Sequence, residues 1–319
     1  MLIIINKQSK IPLIGLIQIG IIDRGTNLLQ IRPTTICNLD CIFCSTNHPL
    51  HQNNYIAEKS YLIETLKEII KEKQTNIEAN IDSVGEPTTY ENLIPLIEEI
   101  SKIKEVNFIS MQTNGTLLTK QLIKQLEKAN LNRINLSIHT LDENKAKILA
   151  NNKNYNLKHI LNIINFIKTT KIELNLTPVW IPEINDNDIK ELIKFVKKHN
   201  IKISIQKYEE TKFSKKLRKK MNWKKFYKEL KNLENKYKIK LIATKEDFNI
   251  KETKRIEKPI NKGEVLNAKL LAAGWYKDQS ITSYKNRAIT IINQKFILNK
   301  IIKIKIIDDS NNIYLAKKI

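Results

Sequence analysis

Leu29-Gln30-Ile31-Arg32-Pro33 leads into Thr34-Thr35-Ile36-Cys37-Asn38-Leu39-Asp40-Cys41-Ile42-Phe43-Cys44, and the rest of the chain is read outward from this stretch. An extended apolar run ends on a loop that carries every cysteine of the chain, Cys37, Cys41 and Cys44. An odd, low count crowded into one short loop is not a disulfide framework. It is a metal-ligand pattern, because soft thiolates favour zinc, copper(I) or an iron–sulfur cluster. A structural zinc site wants a fourth Cys or His, and His48 and His51 are near enough in sequence to be considered. A cluster that only carries electrons also needs four ligands. Three thiolates leave one iron open, and an open iron can bind a substrate or cofactor.

Beyond the loop, helical and strand-like periods alternate. The spacing predicts helices over Ser60–Glu72, Leu93–Ile103, Thr119–Ala129, Asn156–Thr169 and Asp186–His199, with Thr119 as an N-cap. Strands are predicted over Asn27–Pro33, Asn76–Val84, Val106–Met111, Arg133–Ile138, Glu173–Val179 and Ile201–Gln206. Strands separated by helices indicate a parallel sheet with crossover helices. Such sheets place their chemistry at the carboxyl ends of the strands. The polar clusters fall there: the cysteine loop, Gly85-Glu86-Pro87, Gln112-Thr113-Asn114-Gly115 and His139-Thr140-Leu141-Asp142.

These residues resemble the radical SAM superfamily. The cysteine spacing is that family's, and Phe43 stands just before the third cysteine, where it usually carries an aromatic. Gly85-Glu86-Pro87 resembles its glycine-glutamate-proline motif, with Val84 in place of a frequent first glycine. The resemblance covers about Leu29 to Tyr208 and implies a partial (β/α)6 TIM-like barrel. It implies a [4Fe-4S] cluster whose open iron chelates S-adenosylmethionine. Reductive cleavage of the C5′–S bond would then give a 5′-deoxyadenosyl radical that abstracts a substrate hydrogen. Cys37, Cys41 and Cys44 would ligate iron, Phe43 would pack on the adenine, and Gly85 and Glu86 would meet the methionyl amine. Ser137 and His139 sit where the family often contacts the ribose, and Gln112 and Asn114 point into the same mouth. Gln206 and Tyr208 end the sixth strand and would face cofactor or substrate. Each has a plainer reading as well. Glu86 would serve as a helix N-terminal charge, Asn114-Gly115 as a turn, and His139 as a cap.

The chain has 319 residues, 41% hydrophobic, with 55 Lys+Arg against 33 Asp+Glu, a formal net charge of +22. That excess points to a polyanionic partner, although an A+T-rich genome would also enrich lysine. Lys207 to Lys258 holds nineteen basic and eight acidic residues; Lys258 to Ile319 holds twelve and four. In the first segment Trp223, Phe226, Tyr227, Leu230 and Leu233 form a helical apolar stripe, and Lys215, Lys216, Arg218, Lys219, Lys220, Lys224 and Lys225 are expected on the same basic helix. The second has strand-like runs over Gly263–Ala273, Arg287–Ile292, Ile301–Ile307 and Asn312–Ala316 and predicts a small antiparallel β-barrel. It resembles a TRAM domain, an OB-like barrel found on RNA-modifying enzymes. With the core and the segment Ile205-Gln206-Lys207-Tyr208-Glu209, it also resembles an uncharacterised archaeal group of radical SAM proteins.

The expected organisation is a strand-rich extension over 1–28, the radical SAM core over 29–208, a basic helical segment over 209–257 and the TRAM-like barrel over 258–319. Three cysteines leave none for an auxiliary cluster. No run approaches the ~18 apolar residues of a membrane helix, and Met1-Leu2-Ile3-Ile4-Ile5 lacks the basic lead of a signal peptide, so a cytoplasmic protein is expected. The expected function is a radical SAM enzyme that modifies tRNA or rRNA, with a reducing electron donor as a further partner. One alternative is the same chemistry on a protein, peptide or small metabolite; another is a zinc-stabilised RNA-binding protein without catalysis.

Overall fold

The computed structural model describes residues 1–217 and 219–319. The expectation for Arg218 lies outside the described residues. The strands in chain order are β1 Leu2–Ile5, β2 Gly20–Asp23, β3 Leu28–Arg32, β4 Asn54–Ala57, β5 Ile77–Ile81, β6 Val106–Thr113, β7 Arg133–Leu136, β8 Glu173–Leu176, β9 Val179–Trp180, β10 Lys202–Ile203, β11 Gln206–Lys207, β12 Val265–Lys269, β13 Ala272–Ala273, β14 Gln279–Tyr284, β15 Arg287–Ile292, β16 Ile301–Asp308 and β17 Tyr314–Lys318. The helices are α1 Lys59–Lys73, α2 Leu93–Ser101, α3 Lys120–Lys128, α4 Glu143–Ala150, α5 Leu157–Ile167, α6 Asp186–His199 and α7 Trp223–Tyr237. Two compact units result: Met1–Cys37, Leu50–Ile109 and Ile250–Ile319 form one, and Asn38–Pro49 with Ser110–Asn249 the other.

In the first unit β3 runs parallel to β5, with Gln30 opposite Asn80, and antiparallel to β2, with Ile22 opposite Gln30. Alternation along these strands separates two faces. Leu29, Ile31, Ala79 and Ile81 are buried, as are Leu62, Leu66 and Ile69 of α1 and Leu96, Ile97 and Ile100 of α2. Gln30, Arg32, Asn80 and Asp82 occupy the alternate positions. Strands β1 and β4 pair parallel as a separate ribbon.

The same unit contains a curled sheet of order β12-β16-β17-β15-β14-β13. Its core is Ile289, Ile291, Ile302, Ile304, Ile306 and Tyr314. It is not wholly antiparallel, because β15 and β17 pair parallel. Strand β14 fell outside the sequence expectation because Gln279–Tyr284 carries a single aliphatic residue, Ile281. Residues 11–19 explain much of the N-terminal extension, with Ile11, Leu13, Leu16 and Ile19 each 1% exposed. Gly15 lies so close to the curled sheet that a Cβ there would stand 2.0 Å from the Ala288 carbonyl oxygen. Ala288 N–H donates to Ile14 O at 2.8 Å and Tyr314 N–H to Gly15 O at 3.0 Å.

In the second unit the end of β6, β7, β8 and β10 are parallel neighbours. Gln112 stands opposite Asn135, and Asn135 opposite Asn175. The helices bury Ile160, Ile163, Ile164 and Ile167 of α5 and Ile189, Leu192, Ile193 and Val196 of α6. Thr119 caps α3 as expected, its hydroxyl accepting from Leu122 N–H at 3.0 Å. The basic segment departs from expectation. Lys215, Lys216, Lys219 and Lys220 are not helical, and α7 begins only at Trp223, capped by Asn222. Thr211 and Lys215 are instead tied to the cysteine loop.

Candidate active site

Of the expected site residues, Cys37, Gly85 and Glu86 belong to the first unit, and Cys41, Phe43, Cys44, Gln112, Asn114, Ser137, His139 and Gln206 to the second. In the first, Gly85 permits a close approach that any side chain would block. A Cβ there would lie 2.1 Å from the carbonyl oxygen of Ile36, the residue before Cys37. Glu86 N–H donates to that same oxygen at 2.8 Å, and the Thr89 hydroxyl reaches it at 3.2 Å. The motif is thereby laced to the strand that delivers the first cysteine. Glu86 is buried and caps the short turn Pro87–Thr89, its Oε1 accepting from Thr88 N–H at 3.1 Å and the Thr88 hydroxyl at 2.7 Å. Its plainer reading was a helix N-terminal charge; here it caps a three-residue turn. His51 packs against Trp275 and Tyr276, with ring centroids 4.3 and 5.5 Å away.

In the second unit Cys41 and Cys44 form a turn closed by Cys44 N–H to Cys41 O at 3.1 Å. Neighbours the sequence did not indicate hold this loop. Ile42 N–H donates to Leu149 O at 3.0 Å, and Asn151 Nδ2 to Asp40 Oδ2 at 2.9 Å. Lys215 Nζ contacts Asp40 at both its backbone oxygen, 2.9 Å, and Oδ1, 2.6 Å. The Thr211 hydroxyl donates to Ser45 O at 2.8 Å. Contacts so distant in sequence leave no local signal.

Phe43 meets His139 edge-on, ring centroids 4.4 Å apart, and packs on the cluster of Leu149, Ile181 and Tyr208. His139 Nδ1 accepts from Val179 N–H at 3.0 Å, and desolvation pushes its pKa down to about 4. The ring is therefore neutral, an acceptor from the chain beyond β8 rather than a cap on the following turn. Gln112 Nε2 donates to Ser137 Oγ and Thr177 Oγ1, both at 2.8 Å. Two expected residues are thus joined directly, and Gln112 also reaches one that was missed, Thr177. Asn114 Nδ2 donates to Asn38 Oδ1 at 2.9 Å, and its own Oδ1 accepts from Thr116 N–H at 2.9 Å. It is a turn residue, as its plainer reading held, and also a tie to the cysteine loop. Gln206 is exposed at the start of β11. Tyr208 does not face an open mouth: it is 3% exposed and its hydroxyl donates to Lys215 O at 2.8 Å.

Beside this segment lies a groove of about 480 Å³ lined by Lys207, Glu210, Lys216, Lys219, Lys220 and Trp223. Trp223 is 51% exposed and Tyr227 47%, and their rings stack 5.7 Å apart at 26°. Lys207 Nζ sits 5.0 Å above the Trp223 ring.

Residues 31–196 match the sequence model of the radical SAM superfamily. The chain belongs to the radical SAM superfamily. It is 36% identical to an uncharacterised protein of Methanocaldococcus jannaschii, over 97% of this chain and 79% of that one. It is 30% identical to the GTP 3′,8-cyclase of Aquifex aeolicus over 59% of this chain, spanning 58% of that enzyme's length. Among solved structures, SuiB of Streptococcus suis bound to S-adenosylmethionine shares the fold, with a TM-score of 0.51 and 21% identity over 72% of this chain and 48% of SuiB. The protein anSMEcpe with bound S-adenosylmethionine does so at TM-score 0.51 and 22% identity, over 65% of this chain and 59% of its own.

The superfamily uses a [4Fe-4S] cluster and S-adenosylmethionine, and the residues here fit both. The three thiols are free of disulfides and half-buried. Ser83 Oγ, at the start of the Gly85 motif, is buried without a hydrogen-bond partner among the described residues, a polar atom suited to a bound group. Among the described residues no three His, Cys, Asp or Glu side chains are gathered for a metal ion; thiolates assemble around the metal they bind. Among the described residues no helix is long and apolar enough to cross a membrane.

Proposed function

We propose that the chain is a radical SAM enzyme that modifies a nucleotide within tRNA or rRNA. The observation that carries this reading is the Trp223–Tyr227 stack amid lysines. Exposed stacked rings offer a sequence-tolerant platform for unpaired bases, and ammonium groups around them suit a phosphate backbone. The charge excess of residues 207–319 extends the same chemistry, and the curled C-terminal sheet, read as a TRAM-like module, adds to it.

When bound, the cluster and S-adenosylmethionine supply reductive C–S cleavage and, from it, hydrogen-atom abstraction. Cys37, Cys41 and Cys44 would hold the cluster, fed by an external reductant. Glu86 and the Gly85 backbone would receive the methionyl ammonium. Phe43 would cover the adenine, and Ser137, Gln112 and neutral His139 would offer polar atoms to the ribose. Asn114 would fix the turn beside the loop.

Nucleosides from a strain lacking the gene, resolved by mass spectrometry, test the reading. One modified nucleoside should disappear and return on complementation; an unchanged profile overturns it. A second reading, chemistry on a free purine nucleotide, is favoured by the similarity to GTP 3′,8-cyclase. Consumption of GTP by the anaerobically reconstituted protein, without retention of RNA, would support it.

A further inference from the structure

The polar face of the β2–β3–β5 sheet holds an unbalanced pair of guanidinium groups. Gln30, Arg32 and Asp82 share that face by alternation, and Arg24 follows the edge strand β2. Arg24 Nε donates to Gln30 Oε1 at 2.8 Å, and Gln30 Nε2 to Asp82 Oδ2 at 2.5 Å. Arg32 Nη2 reaches the same Asp82 oxygen at 3.2 Å, and its Nη1 donates to the Ile17 carbonyl. Two cations are thus linked through a single carboxylate.

Donor nitrogens on both guanidinium groups remain unused among the described residues. Arg32 is 7% exposed, yet its Nε is buried with no hydrogen-bond partner among the described residues. Arg24 directs only Nε to a protein acceptor among the described residues, leaving its terminal nitrogens available. Desolvation and the Arg32 charge push the Arg24 pKa down, as expected for cations held together without a full complement of anions. Buried N–H groups are seldom left unpaired without a reason. Arg32 ends β3 and Asp82 follows β5, at the carboxyl ends where ligands of parallel α/β sheets bind, and Arg24 reaches Gln30 from the opposite end of the antiparallel strand β2.

The geometry points to an anion subsite, built from Arg24 and Arg32 beside Asp82, that takes a phosphate group of the substrate. The guanidinium fork matches phosphate oxygens and stays charged at every working pH. The choice of phosphate rests on the nucleotide reading above; the existence of an anion site does not.

The probe is inorganic pyrophosphate, titrated calorimetrically at low ionic strength into the anaerobically reconstituted protein loaded with S-adenosylmethionine. Saturable binding is expected. Arg24→Gln should weaken it by about tenfold, the worth of a charge-assisted hydrogen bond. Lys104→Gln, an equal loss of charge at an exposed site elsewhere in the unit, should leave it unchanged. No saturable binding, or equal weakening by both variants, overturns the subsite. Competition then identifies the source of the phosphate. Displacement of pyrophosphate by a short unstructured RNA assigns the site to a polynucleotide, and displacement by GTP alone to a mononucleotide. Arg24-dependent pyrophosphate binding that neither displaces keeps the anion subsite and overturns the nucleotide reading.

Discussion

At Gly85 one carbon atom separates a working motif from a blocked one. A Cβ would sit 2.1 Å from the Ile36 carbonyl oxygen, and neither partner is a side chain that can rotate away. Gly85→Ala should cost about 1–3 kcal/mol, the usual range for overpacking, and should displace the strand end that carries Cys37. Urea unfolding and iron content after reconstitution check both consequences, and wild-type values would refute them. His139 gives a pH prediction. Its folded pKa lies near 4 because burial disfavours the charged ring, whereas the unfolded chain takes up that proton near ~6.5. The unfolded state therefore binds more protons between those values, and stability falls as pH drops from about 6.5 towards 4. His139→Gln should flatten this part of the profile, so a variant whose urea midpoint declines as steeply as wild type between pH 7 and pH 5 would contradict the assignment. Glu86, Gly85 and the cysteines were legible as candidate site residues because the chemistry proposed for them depends on residue type and spacing. Thr177 and Asn38 were not, since a single hydroxyl or amide has no spacing to betray it.

Among the elements, β2, α1 and the segment Lys254–Ile256 meet at a fully buried ion pair. Lys73 Nζ lies 2.9 Å from Asp23 Oδ1, with both side chains at most 1% exposed, and also donates to Lys254 O at 2.7 Å. Asp23 Oδ2 accepts from Ile256 N–H at 2.9 Å. Removing one partner strands the other charge. Lys73→Met should cost about 3–5 kcal/mol, while Lys202→Met, which removes the exposed pair with Glu173, should leave the denaturation midpoint in place. Helix α7 carries the other prediction at this scale. Replacing Trp223 and Tyr227 by alanine should weaken RNA binding by about 1–3 kcal/mol per stacked base without changing its salt dependence, as fluorescence titration over several salt concentrations would show. The elements themselves were unevenly legible. Helix α6 spans Asp186–His199 and strand β15 Arg287–Ile292, both as the periodicity predicts. Helix α4 was missed because Glu143–Ala150 is short and buries only Ala146, Leu149 and Ala150, too faint a stripe to register.

For the whole molecule, the net charge of +22 makes ionic strength the decisive variable. If the basic surface grips RNA, log affinity should fall linearly with log salt at a slope set by the number of neutralised phosphates; a flat dependence would argue against a polyelectrolyte partner. The parallel-strand α/β class, the three cysteines as candidate ligands and the motif at the second parallel strand were read from the sequence alone, because alternation, helical period and ligand chemistry are written in local order. Only tertiary structure decided how residues 1–28 are used. Gly15 and its apolar neighbours gain their purpose from Ala288 and Tyr314, which lie far along the chain. The same holds for Lys215 and Lys216, expected on the helix marked by the Trp223–Leu233 stripe but lying before it, where Thr211 and Lys215 are tied to the cysteine loop. It holds again for Arg24 and Arg32, which only strand pairing links, Arg32 directly to Asp82 and Arg24 to the same carboxylate through Gln30. Close approach and charge balance are properties of neighbours in space, and local order cannot specify them.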